Sequence, residues 1–274
     1  MSEIRIKRGF VDTFDGQIHY REAGEGPPIV LIHQILRTSL DYKFVMPVLA
    51  KSHRVIAIDS VGCGDSDPPD NPYTLEEHGT AICRAIEALS IDKVTVGGHH
   101  SGANIAMEVA LQRPDLVDRA VLSGLGYIND ASVLPGLYAK ASKLADPDTK
   151  LDGSHLLEIW KEGVKTNWGK PRFPEDRLDL ISDFFLEQIK TGPRRFEQYV
   201  AFFAYDATKK LREVDVPILF IRSTDDIFMC NAAEDWLLDQ PGAQLVEIKV
   251  EGGGELPKLY PEPWANAVLA FAMQ

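Results

Sequence analysis

Short apolar runs separated by stretches of helical periodicity dominate the chain. Pro28 to Ile32 (PIVLI), Arg54 to Ile58 (RVIAI), Lys93 to Val96, Arg119 to Leu122, Pro217 to Ile221 (PILFI) and Leu245 to Val250 each read as a strand buried on both faces. Ahead of them, Ile4 to Thr13 and Gln17 to Glu22 alternate around an Asp15-Gly16 turn, the pattern of a hairpin. From Leu75 the period changes: Leu75, Ile82, Ile86 and Leu89 share one helix face, and Thr74 with Glu77 makes a capping-box pattern at its start. The segment after residue 101 carries Gly102, Ala103, Ala106 and Ala110, small residues that let a helix lie close against a sheet. Apolar strands alternating with amphipathic helices predict an α/β fold, with a mostly parallel central sheet flanked by helices.

One interval breaks the alternation. From about Tyr127 to Val214 there is no strand-like run, only helical stretches rich in aromatics such as Trp160, Trp168, Phe184, Phe202 and Phe203. An interval this long cannot be a plain loop in a compact domain. It predicts a helical cap, residues 127–214, inserted into a core made of residues 1–126 and 215–274. Most of the aromatics are expected to pack inside the cap, and a few to line an apolar cavity beneath it.

Composition narrows the partners. The 274 residues suit one large α/β domain with an insertion. A net charge of −12 argues against nucleic acid and against anionic membrane surfaces, and is silent on a small neutral ligand. Cys63, Cys83 and Cys230 are odd in number and scattered, which predicts reduced thiols in a cytoplasmic protein. The opening MSEIRIKRGF lacks the apolar run of a signal peptide, and no apolar stretch is long enough to span a bilayer. The oligomeric state, a homo-oligomer included, is left open.

Chemistry collects at the strand ends. One strand runs into His33-Gln34, the next into Asp59-Ser60-Val61-Gly62-Cys63-Gly64-Asp65-Ser66, the next into Gly98-His99-His100-Ser101-Gly102. After the helical interval, a strand runs into Asp225-Asp226, and the last into a Gly-rich turn before Pro261-Glu262. The chain thereby resembles the α/β-hydrolase fold superfamily, in the capped branch that includes haloalkane dehalogenases, epoxide hydrolases, C–C bond hydrolases and small esterases. The resemblance covers essentially the whole chain, and Asp-x-x-Gly-x-Gly-x-Ser at 59–66 is a specific marker of it.

In that family the turn at the nucleophile reads small-x-nucleophile-x-small, because the bend tolerates no bulk two residues either side. Centred on His100, the flanks are Gly98 and Gly102; centred on Ser101, they are His99 and Ala103, and His99 is too large. His100 is therefore placed in the nucleophile seat. The resemblance makes the Ser101 N–H one half of an oxyanion hole and the Ile35 N–H the other half. Gln34 adds a side chain where the family has none, and His33 is either structural or part of the substrate site. His99 reads as a packed structural histidine. Asp226 takes the acid position, with Asp225 as its rival. The base is where the pattern fails. Gly254 stands where the family has its histidine, and none of the seven histidines follows His155. A serine–histidine–acid triad of the usual topology is excluded.

Histidine serves as base or nucleophile near neutral pH. The expected site is a collapsed dyad, in which Asp226 orients His100 through one ring nitrogen while the other faces the substrate. Glu255 competes as partner or base if the last turn is one residue out of register, and is otherwise a solvated loop glutamate. The expected activity is cofactor-independent hydrolysis, or a lyase- or cyclase-type reaction, on a small, largely apolar carbonyl, ester or lactone substrate. The alternatives are a catalytically inactive member that binds an apolar molecule as receptor or carrier, and a scaffold with a vestigial cavity. A metal held by His33, His99, His100 and Asp226 is not expected, because adjacent histidines should point apart.

Overall fold

The computed structural model describes residues 4–126, 135–139, 149–164, 166–167, 170–224, 242–250 and 255–274. Eight strands form one sheet: β1 (Lys7–Thr13), β2 (Gly16–Ala23), β3 (Pro28–Ile32), β4 (Arg54–Ile58), β5 (Val94–His99), β6 (Val117–Ser123), β7 (Ile218–Ser223) and β8 (Gln244–Ile248). Their spatial order is β1-β2-β4-β3-β5-β6-β7-β8. β1 and β2 form the antiparallel hairpin, β2 joins β4 antiparallel, and every later neighbour is parallel.

The strand sequences explain the layers. Successive side chains of a strand face opposite ways. In β3, Val30 and Ile32 enter one core with Ile56, Ile58, Val96 and Leu122, while Ile29 and Leu31 enter a second with Val55, Ala57, Val121 and Leu219. The first core is covered by α1 (Leu75–Ala88) and α2 (Ser101–Gln112), the second by α7 (Pro261–Ala272) through Trp264, Val268 and Phe271. The α1 start is the expected capping box: the Glu77 N–H donates to Thr74 Oγ1 at 3.2 Å, and the Thr74 N–H donates to Glu77 Oε2 at 2.7 Å. Burial of Leu75, Ile82 and Ile86 on one face accounts for the helical period.

Between β6 and β7 the described elements include α3 (Ser154–Val164), α4 (Leu178–Thr191), α5 (Glu197–Ala204) and α6 (Ala207–Leu211). A ladder of two residues per strand, Thr166–Asn167 with Lys170–Pro171, lies between α3 and α4. The expectation of an interval without strands missed it, because two-residue strands carry no periodicity. Leu180, Ile181 and Phe184 of α4 bury against Phe173 in a small core of their own, with Trp160 packed at its edge. α4 is tied to loops of the sheet layer by polar contacts: Lys190 to Asp65 at 2.6 and 2.7 Å, Lys43 to Asp183, and the Gln188 amide to the Leu36 carbonyl.

Candidate active site

β5 lies between β3 and β6, so the loops that follow these three strands meet at its C-terminal end. β5 also runs three residues further than its apolar run, to His99, because Gly97 and Gly98 stay in register with Leu31 and Ile32 of β3. The chain then turns within one residue. His100 has φ 50° and ψ −122°, and α2 begins at Ser101. This backbone is unfavourable for a residue with a side chain and persists only where its surroundings enforce it. They do so here through the His100 N–H, which donates to the Ser123 carbonyl at 2.8 Å, and the Ala103 N–H, which donates to the His100 carbonyl at 2.8 Å. Both flanking glycines are needed. A Cβ on Gly102 would overlap the Ile32 and His33 carbonyl oxygens, and one on Gly98 would overlap the Gly102 backbone.

The partly buried His100 ring meets Gln34 of the β3 loop, with Nδ1 3.1 Å from the side-chain Oε1. An amide oxygen only accepts, so in this contact Nδ1 is the donor. The Gln34 N–H in turn donates to Asp41 Oδ2 at 3.3 Å. His99 and His100 do not point apart. Their rings stack with centroids 4.0 Å apart and planes 24° from parallel. Alternation holds only along extended backbone, and the positive φ at 100 folds the second ring back over the first. His99 itself is buried, with Nδ1 3.0 Å from Ser123 Oγ, which also accepts from Trp264 Nε1 at 2.9 Å. It forms a platform under the His100 ring.

The remaining expected residues fall in different places. The Ile35 N–H donates to Ser101 Oγ at 2.7 Å, so the two loops meet directly behind the elbow. His33 is engaged structurally. Its Nε2 accepts from the Ser60 N–H at 2.9 Å, leaving Nδ1 to donate to the Gln34 carbonyl at 2.8 Å, and both ring nitrogens are committed. Asp225, Asp226 and Gly254 lie outside the described residues.

Glu255 is not a solvated loop glutamate. It is buried, paired with Arg37 and with Arg172 Nη1 at 3.2 Å rather than with His100. Burial would push its carboxyl up, but the charges of Arg37, Arg172 and Lys258 hold it down at about 2. The pair belongs to a buried cluster at the foot of α4. Glu187 accepts from the Thr38 N–H at 3.1 Å, from Lys258 Nζ at 3.0 Å and from Arg37 Nη1 at 3.4 Å. Lys258 Nζ also lies 3.2 Å from Asp41 Oδ1. Burial raises the Asp41 carboxyl to about 6, against the pull of Lys258. Sequence reasoning missed Arg37, Asp41, Glu187 and Lys258, which lie far apart along the chain. One signal was present: in α4 the apolar stripe of Leu180, Ile181 and Phe184 continues into Glu187 and Gln188, so a buried stripe ends in polar residues that require partners.

One group among the described residues, His19, Asp59 and Asp65, brings three potential metal ligands within 4.8 Å of one another. Those atoms are engaged already: His19 Nδ1 bonds Asp59 Oδ2 at 2.8 Å, and both Asp65 oxygens accept from Lys190. Burial pushes the Asp59 carboxyl up, but hydrogen bonds from His19 and Ser39 hold it at about 2.

The family model described as alpha/beta hydrolase fold matches residues 27–249. The chain belongs to the α/β-hydrolase fold family. It is 39% identical over 107 residues to an uncharacterized protein of Mycobacterium tuberculosis (strain ATCC 25618 / H37Rv), matching 39% of this chain but only 31% of that protein's length. It is 25% identical to the 2-hydroxy-6-oxo-6-(2'-aminophenyl)hexa-2,4-dienoic acid hydrolase of Metapseudomonas resinovorans, over 98% of this chain and 92% of the relative. The enol-lactonase from Burkholderia xenovorans LB400 shares the α/β-hydrolase fold, with a TM-score of 0.79 and 20% identity over 97% of this chain and all of that one. No helix among the described residues is long and apolar enough to cross a membrane.

Proposed function

We propose that this α/β-hydrolase-fold chain is an enzyme in which His100 takes the nucleophile's place. It acts on a small, largely apolar carbonyl, ester or lactone substrate without a cofactor. The observation that carries the proposal is the strained His100 backbone, φ 50° and ψ −122°, with the ring held on Gln34. Strain of this kind persists at functional sites, and a seat with no task gains by relaxing or by accepting glycine. Kinship with hydrolases supports an enzyme at the level of the superfamily.

With the proton on Nδ1, Nε2 is the basic atom. It takes a proton from water as the water oxygen attacks the substrate carbonyl. The developing oxyanion is held by donors at the start of α2, and the protonated ring then returns its proton to the leaving group. Attack by Nε2 itself, through an acyl-histidine, is the nucleophilic variant of the same geometry. Abstraction of a proton beside the carbonyl is the non-hydrolytic one, in a lyase or cyclase reaction. Gln34 fills the orienting role on Nδ1 that was expected of Asp226. Residues 127–214 act as the lid that shapes the substrate site. The buried thiols of Cys63 and Cys83 fit a reducing cytoplasm.

The test is turnover of a panel of esters, lactones and enolisable ketones by the intact protein and by His100→Ala. Turnover that falls at least a hundredfold in the variant, with ligand binding retained, supports the proposal. Failure of the intact protein to turn over any of them, while it binds apolar molecules, favours the receptor or carrier reading.

A further inference from the structure

The Ile35 N–H is committed to Ser101 Oγ at 2.7 Å, not held open for a ligand. In this fold the amide at that position and the amide after the elbow residue hold the substrate's oxyanion. Here a side-chain oxygen of the second residue sits on the first amide. Ser101 is 4% exposed. Its oxygen accepts from Ile35, and its own O–H has no acceptor among the described residues. A hydroxyl carries one donor and two lone pairs. A buried donor left without an acceptor costs free energy, and a ligand oxygen seated at the start of α2 removes that cost.

We infer that the Ser101 hydroxyl replaces the Ile35 amide as the second donor to the substrate's oxygen. Ile35 stands behind it and polarises it, since a hydroxyl that accepts a hydrogen bond becomes a stronger donor. The inference rests on the proposed carbonyl chemistry at His100 and deepens it. The oxyanion hole becomes one main-chain N–H, that of Ser101, and one side-chain O–H from the same residue. It therefore selects ligands that present a single acceptor oxygen at the elbow, as carbonyl, carboxylate and tetrahedral oxyanion groups do. No bond is made or broken in this step; the hydroxyl donates a hydrogen bond and keeps its proton.

Sodium phenylacetate serves as the probe, because its carboxylate oxygen stands in for the oxyanion and needs no turnover. The 15N-labelled protein is titrated with it while the Ser101 and Ile35 amides are followed by NMR. In the intact protein the Ser101 amide is expected to shift on titration, while the Ile35 amide stays in place, still bonded to Oγ. In Ser101→Ala and Ser101→Gly, binding is expected to weaken about tenfold, and the Ile35 amide becomes the one that moves. Movement of the Ile35 amide in the intact protein overturns the inference. So does equal or tighter binding by both variants, which would make the hydroxyl a plug. Absence of binding to the intact protein also overturns it, and that outcome needs no variant to fold. Failure of the enzyme proposal looks different: the titration shows the expected pattern, yet no ester, lactone or ketone is turned over.

Discussion

Gln34 Oε1 lies 3.1 Å from His100 Nδ1, so a neutral amide holds the ring at the elbow. An amide fixes the tautomer without adding a charge. Replacing it by a carboxylate at the same distance stabilises the imidazolium. Gln34→Glu is expected to move the titration midpoint of the His100 ring, read by NMR, upward by about one unit. The pH profile of any turnover should follow it toward alkaline pH. The same pairing adds stability that is present below the new midpoint while the introduced carboxylate stays ionised, and is lost as pH rises through that midpoint. An unchanged midpoint would mean that the contact does not form in solution.

The elbow backbone predicts an unusual variant. Glycine adopts positive φ without penalty, and strain at a residue such as His100 costs on the order of 1–3 kcal/mol. The ring is only partly buried, which limits the packing lost on its removal. His100→Gly should abolish turnover and raise the melting temperature by a few degrees. A fall of several degrees in the scan would show that the stack on His99 outweighs the strain.

Gly102 predicts the opposite. A Cβ there overlaps two backbone carbonyl oxygens, which cannot swing away as a side chain can. Gly102→Ala should destabilise by more than about 3 kcal/mol, the range of severe core disruptions, and urea unfolding measures it. A midpoint close to that of the intact protein would contradict the tight approach of α2 to β3.

The buried acids set the response to acid. Glu255 and Asp59 are both held at about 2, below the ordinary carboxylate range. Each contributes stability that is present above its unfolded value and lost as pH falls through the folded value. Asp41, raised to about 6, works the other way: its ionised form is unfavourable at neutral pH, and protonation relieves it between about 6 and its unfolded value. Urea midpoints should therefore rise slightly as pH falls from 6 to 5, as Asp41 takes up its proton, and drop steeply below about 4. In Glu255→Gln the protein should be less stable at pH 7 by about 1–3 kcal/mol, because Arg37 loses one of its buried carboxylate partners and keeps Glu187 and Asp41. Its acid-dependent loss should be shallower than that of the intact protein. Equal slopes would remove Glu255 from the account.

The sheet was legible because its information is local. Val30 and Ile32 go one way and Ile29 and Leu31 the other, and a run such as PIVLI is apolar throughout because both faces are covered. The elbow was legible for a related reason. Gly98 and Gly102 bracket His100 at the spacing that one tight turn needs, and no second register fits. The absence of any histidine after His155 could also be read directly.

What surrounds His100 was decided only by the tertiary structure. Gln34 is 66 residues away from His100 along the chain, and nothing in the pattern of either segment encodes their contact. Glu255 carries the residue type of a base. Its role turned on Arg37, 218 residues away, which makes it a buried counter-ion. The stacking of His99 on His100 turned on a single positive φ that reverses the alternation expected of neighbours. By itself, the sequence determined which residues lie inside and where the chain must bend, because burial and turn geometry act over a few positions. Which polar groups meet, and so how each is charged, was set only when distant loops closed on one another, because electrostatics and hydrogen bonds depend on distances that periodicity does not contain.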